Sequence, residues 1–75
     1  LKGREIMTFA DKAIRYAKAH PQEVTLAWID NSKRTYTADK AARLCGVPRV
    51  AACVVGAECK DKRLEDMLNN LLDDE

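Results

Sequence analysis

Three cysteines, Cys45, Cys53 and Cys59, and one histidine, His20, carry the most reactive side chains in this 75-residue chain. Their spacing does little with that reactivity. No two cysteines stand as Cys-x-x-Cys, so there is no redox dithiol, and His20 is too far away in sequence to complete a zinc-ligand spacing. With three thiols, at least one stays unpaired within the chain. Cys45 follows Leu44, and Cys53 lies between Ala52 and Val54, apolar settings in which cysteine acts as a small, inert core residue. Cys59, between Glu58 and Lys60, is the thiol expected at the surface. No paired carboxylates, glycine-rich phosphate loop or serine-nucleophile arrangement stands out. The chain is therefore expected to be no enzyme, and to hold neither cofactor nor metal.

A second group of residues could do binding chemistry. Lys33, Arg34, Lys40, Arg43 and Arg49 stand against Asp39 alone, a net +4 in the middle of the chain. Residues 58–75 hold seven acids against Lys60, Lys62 and Arg63, a net −4. Such polarity guides a polyanion to the middle while the acidic end limits non-specific association; it also describes an ordinary solvated surface of mixed charge. Trp28 lies in an apolar run and is expected in the core rather than as a stacking platform.

The elements that must position these residues belong to one small domain or domain fragment spanning 1–75. The hydrophobic fraction of 47% and charged fraction of 33% are those of a soluble globular domain. A chain this short buries a small share of its surface and leaves little room for a large active-site cavity. No apolar run approaches the roughly 20 residues of a membrane span. Because the chain begins at Leu1 without an initiator methionine or a signal pattern, it is expected to be an excised domain or processed fragment, its compartment left open.

Ile6, Phe9, Ala10, Ala13, Ile14 and Ala17 form a stripe at helical spacing, predicting a helix over 4–19 that His20-Pro21 ends. Residues 24–30, apolar on both sides, predict a strand covered on both faces. Residues 31–37 read as a polar turn. Thr37 caps a helix through Ala41, Ala42, Leu44 and Cys45, which Gly46 closes in the left-handed conformation. Residues 49–56 predict a buried strand. Leu64, Met67, Leu68, Leu71 and Leu72 predict a closing helix whose last turn frays against Asp73, Asp74 and Glu75. The order is helix-strand-helix-strand-helix, an α/β class with parallel pairing. Were 24–30 helical, the chain would be all-α.

That order resembles the second half of a thioredoxin-like domain, as in thioredoxins and the non-catalytic domains of protein disulfide isomerases. The resemblance rests on 9–17 as the long helix, 24–30 as a strand ending in Ile29-Asp30, the helix of 38–45, Gly46-Val47, the strand 50–55 and the helix 64–72. It implies a redox-inactive protein-binding or scaffolding module. Where the family carries its redox cysteines, this chain has Leu1-Lys2-Gly3-Arg4; where the family has its cis-proline, this chain has Ala51, with Pro48 three residues earlier. The implied contact surface is Pro48, Arg49, Val50 and Ala51. Two strands make a poor sheet, so a protein partner or missing chain segment is expected to complete it.

Residues 37–49 also resemble a helix-turn-helix, with Ala42 at the helix crossing, Gly46 in the turn, Val47 after it and Pro48 opening a second helix. That resemblance implies DNA binding through Lys33, Arg34, Lys40, Arg43 and Arg49. The second helix would offer only Ala, Cys and Val at 50–55, with nothing to read a base edge.

Overall fold

The computed structural model describes residues 8–73. A reciprocal cap starts the first helix: the Asp11 amide donates to the Thr8 hydroxyl at 3.1 Å, and the Thr8 amide donates to the Asp11 carboxylate at 3.3 Å. Helix α1 accordingly runs Phe9–Ala19, and His20 caps it before Pro21. Arg4 to Met7, which the apolar stripe had placed in this helix, lie outside the described residues.

Strand β1, Glu23–Trp28, alternates exposed and buried positions, with Val24 and Leu26 fully buried. Ile29, Asp30 and Asn31 then reverse the chain. The Asn31 amide donates to the Trp28 carbonyl and the Trp28 amide to the Ser32 carbonyl, both at 2.9 Å. This is a tight three-residue loop in which Asn31 takes a left-handed φ of 73°, a conformation that asparagine tolerates better than most residues. Strand β2, Lys33–Thr37, returns antiparallel, Thr25 opposite Thr35. Helix α2, Ala38–Cys45, follows directly from Thr37, and the single turn α3, Pro48–Ala51, opens with proline at its first position. Strand β3, Val54–Glu58, pairs antiparallel with the other side of β1. Helix α4, Lys62–Asp73, closes the described chain.

The fold is α/β, with a three-stranded sheet in the order β2-β1-β3; it is not all-α. Helices gather on one face, over Val24, Leu26, Val54 and Ala57, and Leu64 and Leu68 of α4 complete the deepest layer. Each fully buried leucine contributes about 1.5–3 kcal/mol. Alanines dominate the buried stripes of α1 and α2 (Ala13, Ala17, Ala38, Ala41 and Ala42) and let the two helices approach closely. At Gly46 an added Cβ would sit 3.2 Å from the Ala10 Cβ.

Several expectations change here. The pairing is antiparallel, not parallel, and β1 is covered on one face only, because Thr25 and Ala27 alternate with the buried residues. The polar stretch after Asn31 is a strand: its Thr-Tyr-Thr run has the branched and aromatic side chains strands favour, and its polarity reflects an edge position. Residues 49–56 divide between α3 and β3, since Pro48 fits the start of a helical turn and the strand begins only at Val54. Gly46 is right-handed, at φ −83°, so it serves close approach to Ala10 rather than a left-handed cap.

Candidate functional site

The two edges of the sheet are built differently. In β3 the Ala57 amide and carbonyl are both engaged by one side chain: the amide donates to Asn69 Oδ1 at 3.0 Å, and Asn69 Nδ2 donates to the carbonyl at 3.1 Å. The α4 amide thus imitates a neighbouring strand. Farther along, the Cys59 amide donates to Glu65 Oε1 at 3.2 Å. These contacts occupy this edge at Ala57 and Cys59. At β2 the bond from the Trp28 amide to Ser32 sets the ladder phase, so Arg34 and Tyr36 turn their backbone groups to β1 while Lys33, Thr35 and Thr37 turn theirs outward. Among the described residues no helix or side chain engages the Lys33 and Thr35 groups of that row, whereas Thr37 is the N-cap of α2 and its carbonyl faces the first turn of that helix.

Beside this open edge, at the hairpin end of the sheet, lies a pocket of about 350 Å³ lined by Trp28, Ile29, Arg34, Tyr36 and Cys53. The β1–β3 register slips between Ala27 and Trp28, where Val55 is the extra residue of a bulge in β3. Ile29 is 64% exposed, and its amide is held by the Cys53 carbonyl at 3.0 Å. Trp28 packs partly against the core, as expected, but its indole Nε1 is buried with no acceptor. Asp30, also on the rim, is occupied by Ser32: the Ser32 hydroxyl and amide donate to it at 2.6 and 2.9 Å, and these bonds hold its pKa below the ordinary carboxylate value. Asp39 is likewise tied to the Thr37 hydroxyl at 2.9 Å, which lowers its pKa.

Lys33 and Arg34 therefore flank the open edge, on opposite faces of the sheet. Lys40 and Arg43 are exposed one turn apart on α2, and Arg49 is exposed on α3. Among the described residues none of these five cations is in an ion pair, and the one ion pair found there joins Lys62 to Glu65 at 3.6 Å. Pro48 and Ala51 line a separate apolar cleft of about 370 Å³ with Phe9, Leu71 and Leu72, while Val50 packs partly against the core. The expected Pro48 to Ala51 surface is thus split between a cleft, solvent and core.

The thiols differ from expectation. Cys53, at the end of α3, is exposed, whereas Cys59 is half-buried and donates to the Asp61 carbonyl at 3.2 Å, with burial raising its pKa. Cys45 is buried as expected, its pKa pushed up to about 11 by desolvation. Among the described residues no group of three potential ligands could hold a metal ion, and no helix is long and apolar enough to cross a membrane. The Trp28–Tyr36 pocket and the Asn69 clamp were missed from sequence. The first follows once 33–37 is read as a strand paired to β1, but nothing local marks Asn69 as an edge cover.

Compared with known proteins, the chain matches no protein-family model, no curated protein and no solved structure.

Proposed function

We propose that this domain is a non-catalytic protein-binding module that accepts an extended segment of its partner along β2. The observation that carries the reading is the asymmetry of the sheet: Asn69 occupies the outward amide and carbonyl of Ala57 in β3, while among the described residues nothing engages the outward groups of Lys33 and Thr35 in β2. Strand addition draws affinity from main-chain hydrogen bonds and selectivity from pockets for alternate side chains. The Trp28–Tyr36 pocket lies where one such side chain would fall. A redox role finds no support in a buried Cys45 whose pKa is pushed up to about 11. The binding and scaffolding role implied by the thioredoxin-like resemblance is kept, with the contact surface moved from Pro48–Ala51 to β2.

DNA binding is the competing reading, supported by the five cations without ion pairs. A four-residue α3 rises about 6 Å, short against a major groove about 12 Å wide, and it offers only Arg49 to a base edge. The protein-binding reading therefore fits the geometry better.

Short random peptides selected by display on the wild-type domain provide the test. Proline at position 35 removes an outward N–H while leaving the β1–β2 ladder intact, so Thr35→Pro is compatible with an edge strand. Selected peptides are expected to bind Thr35→Pro about tenfold or more weakly, a difference of ~1.4 kcal/mol. Equal binding to both proteins, with amide shifts confined to Phe9, Ala51 and Leu72, would place the site in the other cleft and sink the β2 reading.

A further inference from the structure

We infer that the segment taken up by β2 is acidic, carrying two adjacent carboxylates that meet Lys33 and Arg34 on opposite faces of the sheet. The inference rests on the strand-addition reading and specifies its partner. Neighbouring residues of a strand point to opposite faces, so Lys33 stands on the open face and Arg34 on the helix-covered face, beside Tyr36. A pair of consecutive Glu or Asp residues in an added strand presents one carboxylate to each. Among the described residues neither cation is in an ion pair; Asp30, which lines the same pocket as Arg34 and is hydrogen-bonded to Ser32, acts on Arg34 only through space, and Asp39 is bound to Thr37. The partner residue opposite Tyr36 shares a face with the pocket of Trp28 and Ile29, and a branched apolar side chain suits it.

The same charges select against the simplest alternative, a second copy of this chain. Two β2 strands pairing antiparallel about Thr35 set Lys33 opposite Thr37 and Arg34 opposite Tyr36. That register gathers four cations on two strands with no anion between them. Basic residues on an edge strand act this way in many sheets, discouraging self-association. Here they leave the edge open to a partner of opposite charge.

Three end-capped synthetic peptides of identical β-branched background test the inference: one with adjacent glutamates, one with adjacent glutamines, one with adjacent lysines. Each is titrated into the 15N-labelled domain at low and at raised salt. The glutamate peptide is expected to shift the amides of Lys33, Thr35 and Thr37, to bind about tenfold more tightly than the glutamine peptide, and to lose that advantage as salt rises. The lysine peptide is expected to produce no shifts. The double substitution Lys33→Gln with Arg34→Gln should bring the glutamate peptide down to the glutamine level, while the glutamine peptide is unaffected. Equal binding of the glutamate and glutamine peptides at β2 would overturn the charge inference and leave strand addition standing. No β2 shift with any peptide, or a concentration-dependent dimer that shifts β2 unaided, would overturn the inference; the first of these, joined to display-selected peptides that ignore Thr35→Pro, would overturn strand addition as well. Shifts of Lys33 and Arg34 by duplex DNA, tighter than by the glutamate peptide, would overturn it in favour of a nucleic acid.

Discussion

The three thiols occupy three environments, and their reactivity should rank accordingly. Cys53 is exposed at the rim of the Trp28 pocket, Cys59 is half-buried with its hydrogen held by the Asp61 carbonyl, and Cys45 is buried among the α1–α2 alanines. A thiol-specific alkylating reagent followed by mass spectrometry should mark Cys53 first and Cys59 more slowly, while Cys45 reacts only when the domain opens. A label on Cys53 should also change Trp28 fluorescence, since both line one pocket. Labelling of Cys45 on the same timescale as Cys53 would contradict the packing. The sequence neighbours of Cys53 are apolar, yet it lies outside the core: apolar neighbours report composition, and only the turn from α3 into β3 decides which way that side chain faces.

At the scale of elements, the β1–β2 hairpin controls the open edge, and its loop turns on one residue. Asn31 holds a φ of 73° that glycine adopts freely and β-branched residues resist. Asn31→Gly should leave thermal stability nearly unchanged, whereas Asn31→Val should cost about 1–2 kcal/mol by denaturant unfolding. Equal stability of the two variants would mean the loop relaxes into another turn. This hairpin was only half legible. Val24, Leu26 and Trp28 marked β1, but Lys33-Arg34-Thr35-Tyr36-Thr37 passes for a loop because the edge strand presents charge and hydroxyls to water. The closing helix was legible in its stripe, of which Leu64, Leu68 and Leu71 are buried and Met67 and Leu72 half-buried, while the fraying expected at Asp74 and Glu75 lies outside the described residues.

At the scale of the whole molecule, a polar tether joins the end of α1, the entry to β1 and the start of α4. The Tyr16 hydroxyl donates to Asp61 Oδ2 at 2.7 Å, Asp61 Oδ1 accepts from the Arg63 and Leu64 amides at the α4 N-terminus, and the Asp61 amide donates to Gln22. His20 stacks on Tyr16 with ring centroids 4.1 Å apart. The Tyr16 hydroxyl first, and then the helix amides, lower the Asp61 pKa below its ordinary 3.8; the same bond raises that of Tyr16. A depressed carboxyl stabilises the fold above its unfolded value and stops doing so as pH falls through the folded one. Thermal melts should therefore lose stability on acidification below about pH 4, and Tyr16→Phe should flatten that acid limb while lowering the melting temperature near neutrality. An unchanged acid limb in Tyr16→Phe would show that the tether does not set it.

The sequence by itself determined the α/β class of the fold and the approximate places of α1, β1, α2 and α4, although Ile29 and Asp30, read as the end of the strand 24–30, form the reversing loop instead. Those features depend on local terms, such as the helical spacing of Ala10, Ala13 and Ala17 and the stop at Pro21. Tertiary structure alone decided the direction of pairing, the identity of the edge strands and the exposure of Cys53. Each of these depends on which segments meet across the sheet, a contact free energy between residues distant in the chain that no local pattern contains. Asn69 shows this most directly: it becomes an edge cover only because α4 returns to lie beside β3, twelve residues after the Ala57 backbone it closes.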